Sequence, residues 1–227
     1  MADNQQNLVF LTARVSFPNI VDPQTQTDPK TGETKKSYNC DLIMAPNDAG
    51  FQKFMQTCQM MAKEKWKEHA PQAMQMIQAD RKARCYGAGE EKVSKKTFQI
   101  HQGYAGNVFI TARSERQPQI IGLDGKQIDP TNTMQIRAEA SRIEGGIVVN
   151  AVVRPWLQQN AHGSGVRCDL IAIQFAKDDG TRFGGSAPDI TGMFGAVAGA
   201  PAMPGFTQPA MPAAPFAAPD RKSTRLN

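Results

Sequence analysis

Residues 8–17 read LVFLTARVSF, and this stretch decides the fold class because its apolar residues alternate with other residues. One face of the stretch collects Val9, Leu11, Ala13, Val15 and Phe17. The opposite face carries Phe10, Thr12 and Arg14. A period of two is the pattern of a β-strand with one buried face. The pattern therefore predicts a strand from Leu8 to Phe17, ended by Pro18.

The same alternation recurs along the chain and predicts further strands. They are Tyr38 to Met44, Gly106 to Ser114, Gln119 to Leu123, Met134 to Arg142, Ile147 to Arg154 and Val166 to Ala176. Two stretches rich in turn-forming residues lie between these strands. Asn19 to Lys36 is predicted to be a long loop, and Cys85 to Lys96 is predicted to be a Gly- and Lys-rich loop.

One region of the sequence has the pattern of an α-helix. Pro46-Asn47-Asp48 supplies an N-terminal cap, after which apolar residues recur at three- and four-residue spacing from Phe51 to Ala62. Pro71 restarts the pattern, which continues towards Arg84. Two strands, a helical insertion and four or five further strands predict a mainly β protein. The architecture that fits best is an OB-fold, a five-stranded Greek-key barrel, here with extra strands.

Composition restricts the class of partner. The 227 residues carry a net charge of +5, and the pI of 9.1 favours an anionic partner. No stretch approaches the roughly 18 apolar residues that cross a bilayer, and the polar start from Met1 to Asn7 lacks a secretory signal. The four cysteines and three histidines lie far apart, so we expect no metal site, no disulfide framework and no cofactor.

The C-terminal part of the chain differs in composition from the rest. We expect the folded domain to span residues 1–186, followed by a disordered Pro/Ala/Gly-rich tail over residues 187–219. Residues 220–227, DRKSTRLN, resemble the translation of a widely used sequencing adapter and are excluded from fold reasoning. Without them the net charge falls from +5 to +3, and the native C-terminus is expected to be missing.

Several motifs, taken in order, resemble a phage family of OB-fold single-stranded DNA-binding proteins, which is similar to the replication ssDNA-binding protein of T7-like phages. The motifs are FPNI at residues 17–20, Tyr38, GYAGNVFITAR at 103–113, RQP at 116–118, GGIVVNA at 145–151, Gly163 and DGTRFGG at 179–185. The resemblance spans about residues 8–186. It implies sequence-independent ssDNA binding in phage DNA replication or recombination, in the host cytoplasm.

The chain departs from that family at two places. The family often has an acidic run before its Y-x-G segment, where this chain has Lys92, Lys95 and Lys96. Related proteins also carry an acidic C-terminal tail, and none is visible here. The resemblance implies that such a tail, missing here, would recruit phage replication proteins.

Binding of ssDNA without sequence preference needs cations for the phosphates and aromatic faces for the bases. Cations and aromatic residues occur together between Arg81 and Arg116, where the sequence contains eight lysine or arginine residues and only three glutamates. The candidate DNA-binding residues are Phe10, Arg14, Lys35, Lys36, Lys92, Lys95, Lys96, Phe98, Tyr104, Phe109, Arg113, Arg116, Arg154 and Trp156. The alternatives are core packing for the aromatic residues, a homodimer contact, and a merely solvated face for the lysines.

Catalysis is not expected. Gly87-Ala88-Gly89 lacks the Gly-Lys-Ser/Thr of a phosphate loop, and Gly163-Ser164-Gly165 does not meet the spacing of a nucleophile elbow. Two other functions remain open from sequence. One is a recombination or RNA-binding OB module, and the other is a structural virion protein with a β-barrel and no DNA affinity.

Overall fold

A computed structural model describes residues 7–27, 32–160 and 163–184. Its β-strands are β1 (Val9–Thr27), β2 (Thr34–Met44), β3 (Tyr86–Ala88), β4 (Val108–Ser114), β5 (Gln119–Ile121), β6 (Val148–Asn160) and β7 (Gly163–Lys177). Its α-helices are α1 (Ala49–Trp66), α2 (Ala70–Ala79) and α3 (Thr133–Ala140). None of these helices is long and apolar enough to cross a lipid bilayer. The predicted tail and the terminal eight residues lie outside the described residues.

The strands form one sheet in the order β3-β4-β2-β1-β6-β7-β5. All pairings are antiparallel except that of β5 with β7. The sheet curls until the segment before β3 meets β7, where the Val166 amide donates to the Ala83 carbonyl at 2.8 Å. A Cβ at residue 165 would lie 2.7 Å from that carbonyl oxygen, so Gly165 permits the approach. The predicted OB-like β fold with a helical insertion is confirmed.

The alternating pattern is confirmed from Val9 to Val15 as the inner face of β1. It is wrong at its end, because the register is irregular after Ser16, so that Ser16 is buried and Phe17, predicted to face the core, is 51% exposed. Val9, Leu11 and Val15 are at most 1% exposed and pack in the barrel core. All four cysteines are also buried, with free thiols. The core is therefore built from the residues that the period of two places on one face.

The predicted end of the first strand at Pro18 is wrong, and so is the predicted loop from Asn19 to Lys36. β1 continues to Thr27 and β2 begins at Thr34, with irregular register between Ser16 and Asn19. Proline lacks an amide donor but is tolerated at a β-bulge, which adds a residue to one strand only. The bulge therefore accommodates Pro18 without ending the strand.

Two other predictions of local structure are wrong. Met134 to Arg142 was predicted as a strand but contains α3, whose N-cap Asn132 accepts a hydrogen bond from the Gln135 amide at 3.1 Å. Cys85 to Lys96 was predicted as a loop but contains β3, which pairs with β4. β3 escaped detection because three residues are too short to display a period.

The predicted helical insertion is confirmed as α1 and α2. Phe54, Cys58 and Ala62 form the buried stripe of α1, and Ile77 continues it on α2. The Phe54 ring meets the Tyr86 ring of β3 edge-to-face, with centroids 6.0 Å apart. The helices therefore cover the side of the barrel where β3 closes it.

Asp48 should contribute measurably to stability as the N-cap of α1. Its carboxylate accepts hydrogen bonds from the Gly50 and Phe51 amides at 2.8 and 3.1 Å. We expect Asp48→Ala to lower the free energy of unfolding by about 0.5–2 kcal/mol, measured by urea denaturation. The neighbouring exposed Asn47→Ala is the control and should change little. Equal effects of the two substitutions would contradict the capping role.

Candidate nucleic-acid interface

A groove with a volume of about 1350 Å³ lies where the barrel closes. Five parts of the chain line it: the start of β2, β4 with the two residues after it, residues 81–86, residues 91–92, and the β6–β7 hairpin. In OB-folds, oligonucleotides bind on the face of the second and third strands, between the hairpin loops. The groove occupies the corresponding place, because it lies on the neighbouring strands β2 and β4 and is lined by residues of the β1–β2 and β6–β7 hairpins.

The lining of the groove is strongly basic. Ten cations contribute to it: Lys35, Lys36, Arg81, Lys82, Arg84, Lys92, Arg113, Arg116, Arg154 and Arg167. The acidic residues of the lining are Glu91, Glu115 and Asp169. The local excess of +7 is larger than the net charge of +5 on the whole chain. Focused positive charge of this kind attracts a polyanion.

Six of these cations are not neutralised by an ion pair with any described residue. Within the described ranges, no carboxylate forms an ion pair with six of them: Lys35, Lys36, Lys82, Arg113, Arg116 and Arg167. In contrast, Arg84 is largely buried and bound to Glu91 at 2.9 Å, so its role is to join residues 81–91. These six cations come from separate parts of the groove: Lys35 and Lys36 from β2, Arg113 and Arg116 from β4 and the residues after it, Lys82 from the segment before β3, and Arg167 from β7.

Trp156 is the exposed aromatic residue of the lining. It lies on β6 opposite Arg167 of β7, and it is 41% exposed. Its indole Nε1 donates to Asp169 Oδ1 at 2.9 Å, while Arg154 donates to Asp169 Oδ2 at 2.8 Å. One carboxylate therefore holds both an aromatic ring and a cation at the groove. A ring fixed at one edge and open on a face is suited to stack on a base.

Phe109 also lines the groove but is only 7% exposed. The Lys92 ammonium lies 4.3 Å from its ring centroid and is held there by Asp41 Oδ2 at 2.7 Å and Thr111 Oγ1 at 3.1 Å. The ring is thus covered by a cation that is itself paired. Phe109 and Lys92 form part of the floor of the groove rather than an open stacking face.

Tyr104 is fully buried, which corrects its prediction as a DNA contact. Its ring packs with Ile43, Phe109 and Phe183 in a small second core on the outer face of the sheet. Its hydroxyl donates to Asp41 Oδ2 at 2.6 Å. Burial raises the pKa of Tyr104, so the phenol stays protonated and continues to donate. No ring face is left for a base.

Tyr104→Phe should therefore reduce stability and leave DNA binding unchanged. Loss of a hydrogen bond to a buried carboxylate is expected to lower the free energy of unfolding by about 1.5–3 kcal/mol in urea denaturation. Tyr38→Phe is the control, since the Tyr38 hydroxyl makes no hydrogen bond to any described residue and its loss should have little effect. If Tyr104→Phe weakened DNA binding while stability stayed constant, the buried role would be contradicted.

The other predicted residues divide into two groups. Lys35, Lys36, Arg113, Arg116, Arg154 and Trp156 come together at the groove, as do Lys92 and Phe109 in its floor. Phe10, Arg14, Lys95, Lys96 and Phe98 lie outside it. Arg14 is bound to Asp179 at 2.7 Å, which holds the pKa of that carboxyl well below its ordinary value. Phe10 is 61% exposed elsewhere on β1, and the other three lie in the loop after Lys92.

Sequence analysis did not select every residue of the lining. Among the residues missed are the cations Arg81, Lys82, Arg84 and Arg167, and also Asp169, which holds Trp156. Three of them contribute to the basic excess between Arg81 and Arg116, so a signal was present. Arg167 had none, because its place becomes apparent only from its pairing with Trp156 across β6 and β7.

Two solved structures share the fold. The single-stranded DNA-binding protein from bacteriophage Enc34 in complex with ssDNA has 20% identity and a TM-score of 0.57, over 77% of this chain and 89% of that chain. A second structure of the single-stranded DNA-binding protein from bacteriophage Enc34 has 20% identity and a TM-score of 0.56, over 82% of this chain and 89% of that chain. The T7 single-stranded DNA-binding protein gp2.5 has 14% identity and a TM-score of 0.43, over 84% and 99%.

A comparison with curated protein sequences gave no match. The model of one protein family does match, described as Enterobacter phage Enc34, ssDNA-binding protein, and it covers residues 6–197. This match includes the whole barrel and all residues of the groove. It also confirms the resemblance that the ordered motifs indicate. The chain therefore belongs to the family of the Enterobacter phage Enc34 ssDNA-binding protein.

Proposed function

We propose that this protein binds single-stranded DNA without sequence preference, in the groove between β4 and the β6–β7 hairpin. The observation that carries the proposal is the position of Trp156, an exposed ring held by Asp169 within a lining of ten cations. Membership of the Enc34 family supports it, as does the likeness to a structure described as a complex with ssDNA.

The lining accounts for both affinity and lack of sequence preference. Lysine and arginine side chains contact phosphates, which are the same at every position, and each neutralised phosphate adds about 0.7 to the salt dependence for a single strand. Every base has a π-face, so Trp156 stacks on any base. Bases of a duplex are stacked on one another and paired, so they do not reach the ring. The groove therefore favours single strands over duplex DNA.

The biological setting follows from the family. We propose that the protein acts without catalysis in the host cytoplasm, covering single strands that arise during phage DNA replication. Contact with phage replication proteins through an acidic C-terminal tail, which the given sequence does not contain, is a further hypothesis that the family resemblance suggests. The recombination role and homodimer formation also remain predictions.

Fluorescence anisotropy with labelled oligo-dT tests the proposal on the full chain. We expect binding at about 50 mM salt that weakens markedly at about 200 mM, as counterion release requires. Unlabelled oligo-dT should displace the probe, and duplex DNA should not. Absence of binding at low salt would contradict the proposal and favour a virion protein, and equal displacement by oligo-rU would favour an RNA-binding module.

A further inference from the structure

The loop after Lys92 forms a short hairpin beside the groove, which we call the flap and define as residues 93–100. Val93 and Ile100 form an isolated antiparallel bridge, and the Phe98 amide donates to the Ser94 carbonyl at 2.9 Å. The flap is attached to the groove through Lys92, whose carbonyl accepts from the His101 amide at 2.9 Å. The flap therefore starts and ends at the floor of the groove.

The flap exposes apolar surface instead of burying it. Phe98 is 83% exposed, and Val93 and Ile100 are 43% and 40% exposed. Phe17 of β1 adds a second open ring, since it is 51% exposed and meets His101 edge-to-face with centroids 5.1 Å apart. Exposed aromatic side chains grouped in this way mark an interaction surface more often than isolated ones do.

Both phenylalanines have a backbone conformation that a bulky residue rarely adopts. The φ of Phe17 is +49° and that of Phe98 is +57°, in the left-handed region that glycine prefers. Glycine would fit both positions without the steric cost that a Cβ brings. Strained residues of this kind are concentrated at functional sites. The backbone conformation of these two residues therefore supports a functional role for their exposed side chains.

The flap also carries positive charge. Lys95 and Lys96 are exposed, and neither forms an ion pair with a carboxylate of the described residues. Open rings with free ammonium groups beside them match the bases and phosphates of a nucleic acid strand. An acidic or purely apolar partner would use only one of the two features.

We propose that the flap and Phe17 form a second contact surface for ssDNA, which takes up the strand where it leaves the groove. This inference rests on the proposed function of the groove. Phe98 and Phe17 stack on bases, and Lys95 and Lys96 contact phosphates. The two surfaces differ in what they require of the DNA, because only a strand longer than the groove reaches the flap.

Phe98→Gly tests this second surface with a separate check on folding. Glycine suits the φ of residue 98, so the midpoint of urea unfolding is expected to stay constant or rise. Affinity of the full chain for oligo-dT is measured by anisotropy over lengths from about 6 to about 30 nucleotides, a range that spans the site sizes of OB-folds. We expect unchanged affinity for the shortest oligonucleotides that bind and a loss of about fivefold or more for long ones.

The controls separate this inference from the proposed function. Lys95→Gln with Lys96→Gln should reduce the salt dependence for long oligonucleotides only. Phe10→Ala removes an exposed ring that belongs to neither surface, so it should change affinity little at any length. Wild-type affinity of Phe98→Gly at every length would overturn the inference while the groove still binds. A molar mass of Phe98→Gly that differs from that of the wild-type protein in light scattering, with DNA binding intact, would also overturn the inference. That outcome would assign the flap to self-association. Failure of the wild-type chain to bind any oligonucleotide would overturn both.

Discussion

Trp156→Ala is expected to weaken binding of oligo-dT about 5- to 150-fold. Stacking of a base on an aromatic side chain contributes about 1–3 kcal/mol, and Trp156 is the exposed ring of the groove lining. The substitution leaves all ten cations in place, so the salt dependence of binding should hardly change. Anisotropy titrations of the variant at two salt concentrations measure both quantities.

Phe10→Ala is the matched control for Trp156. Phe10 is also an exposed aromatic side chain on a barrel strand, but it lies outside the groove. Its replacement should leave affinity within about twofold of wild type, since no base reaches it. A larger loss for Phe10→Ala than for Trp156→Ala would mean that the strand passes over β1 instead, and the proposed path would be wrong.

Arg113→Gln combined with Arg116→Gln is expected to reduce both affinity and its dependence on salt. Both arginines line the groove and have no carboxylate partner among the described residues. Loss of two phosphate contacts should lower the slope of log K against log salt by about 1.4. The same relation gives a loss of about 25-fold at 0.1 M salt.

Lys53→Gln combined with Lys63→Gln is the control for this pair. Both lysines are exposed on α1, away from the groove, and their replacement changes the net charge by the same amount. Only the groove pair should alter the salt slope. If the two pairs had equal effects, binding would depend on net charge alone, and the groove would have no special role.

Much of the fold could be predicted because its strands have one buried face. In β1 the residues from Val9 to Val15 alternate between core and surface, and a period of two records this directly. The segment Pro46-Asn47-Asp48 predicts a helix start because a capping side chain acts on neighbouring amides, and in the structure Asp48 is the cap. Features that depend on local geometry are therefore visible in the sequence.

The mistaken strand from Met134 to Arg142 shows where such patterns become ambiguous. Met134, Ile136 and Ala140 occupy even positions and fit a strand, but Ile136 and Ala140 are also four residues apart, as on one face of a helix. In the structure both are buried, whereas Met134 is 82% exposed. Eight residues are too few to separate the two periods by pattern alone.

The candidate site was only partly predictable, because the barrel brings together residues from distant parts of the chain. Trp156 and Arg113 were chosen for residue type and strand position, and both reach the groove. Arg167 was missed because its partner lies on another strand. Tyr104 was chosen for its neighbours in sequence, yet the loop folds over the sheet and buries it. Burial by a loop leaves no periodic signal.

The emission of Trp156 during DNA binding tests the central claim most directly. The chain contains two tryptophans, so Trp66→Phe leaves Trp156 as the only indole. We expect its fluorescence to be quenched as oligo-dT is added, saturating together with the anisotropy of the labelled DNA, because the ring stacks on a base. Saturable binding with unchanged Trp156 emission would contradict the account and place the strand outside the groove.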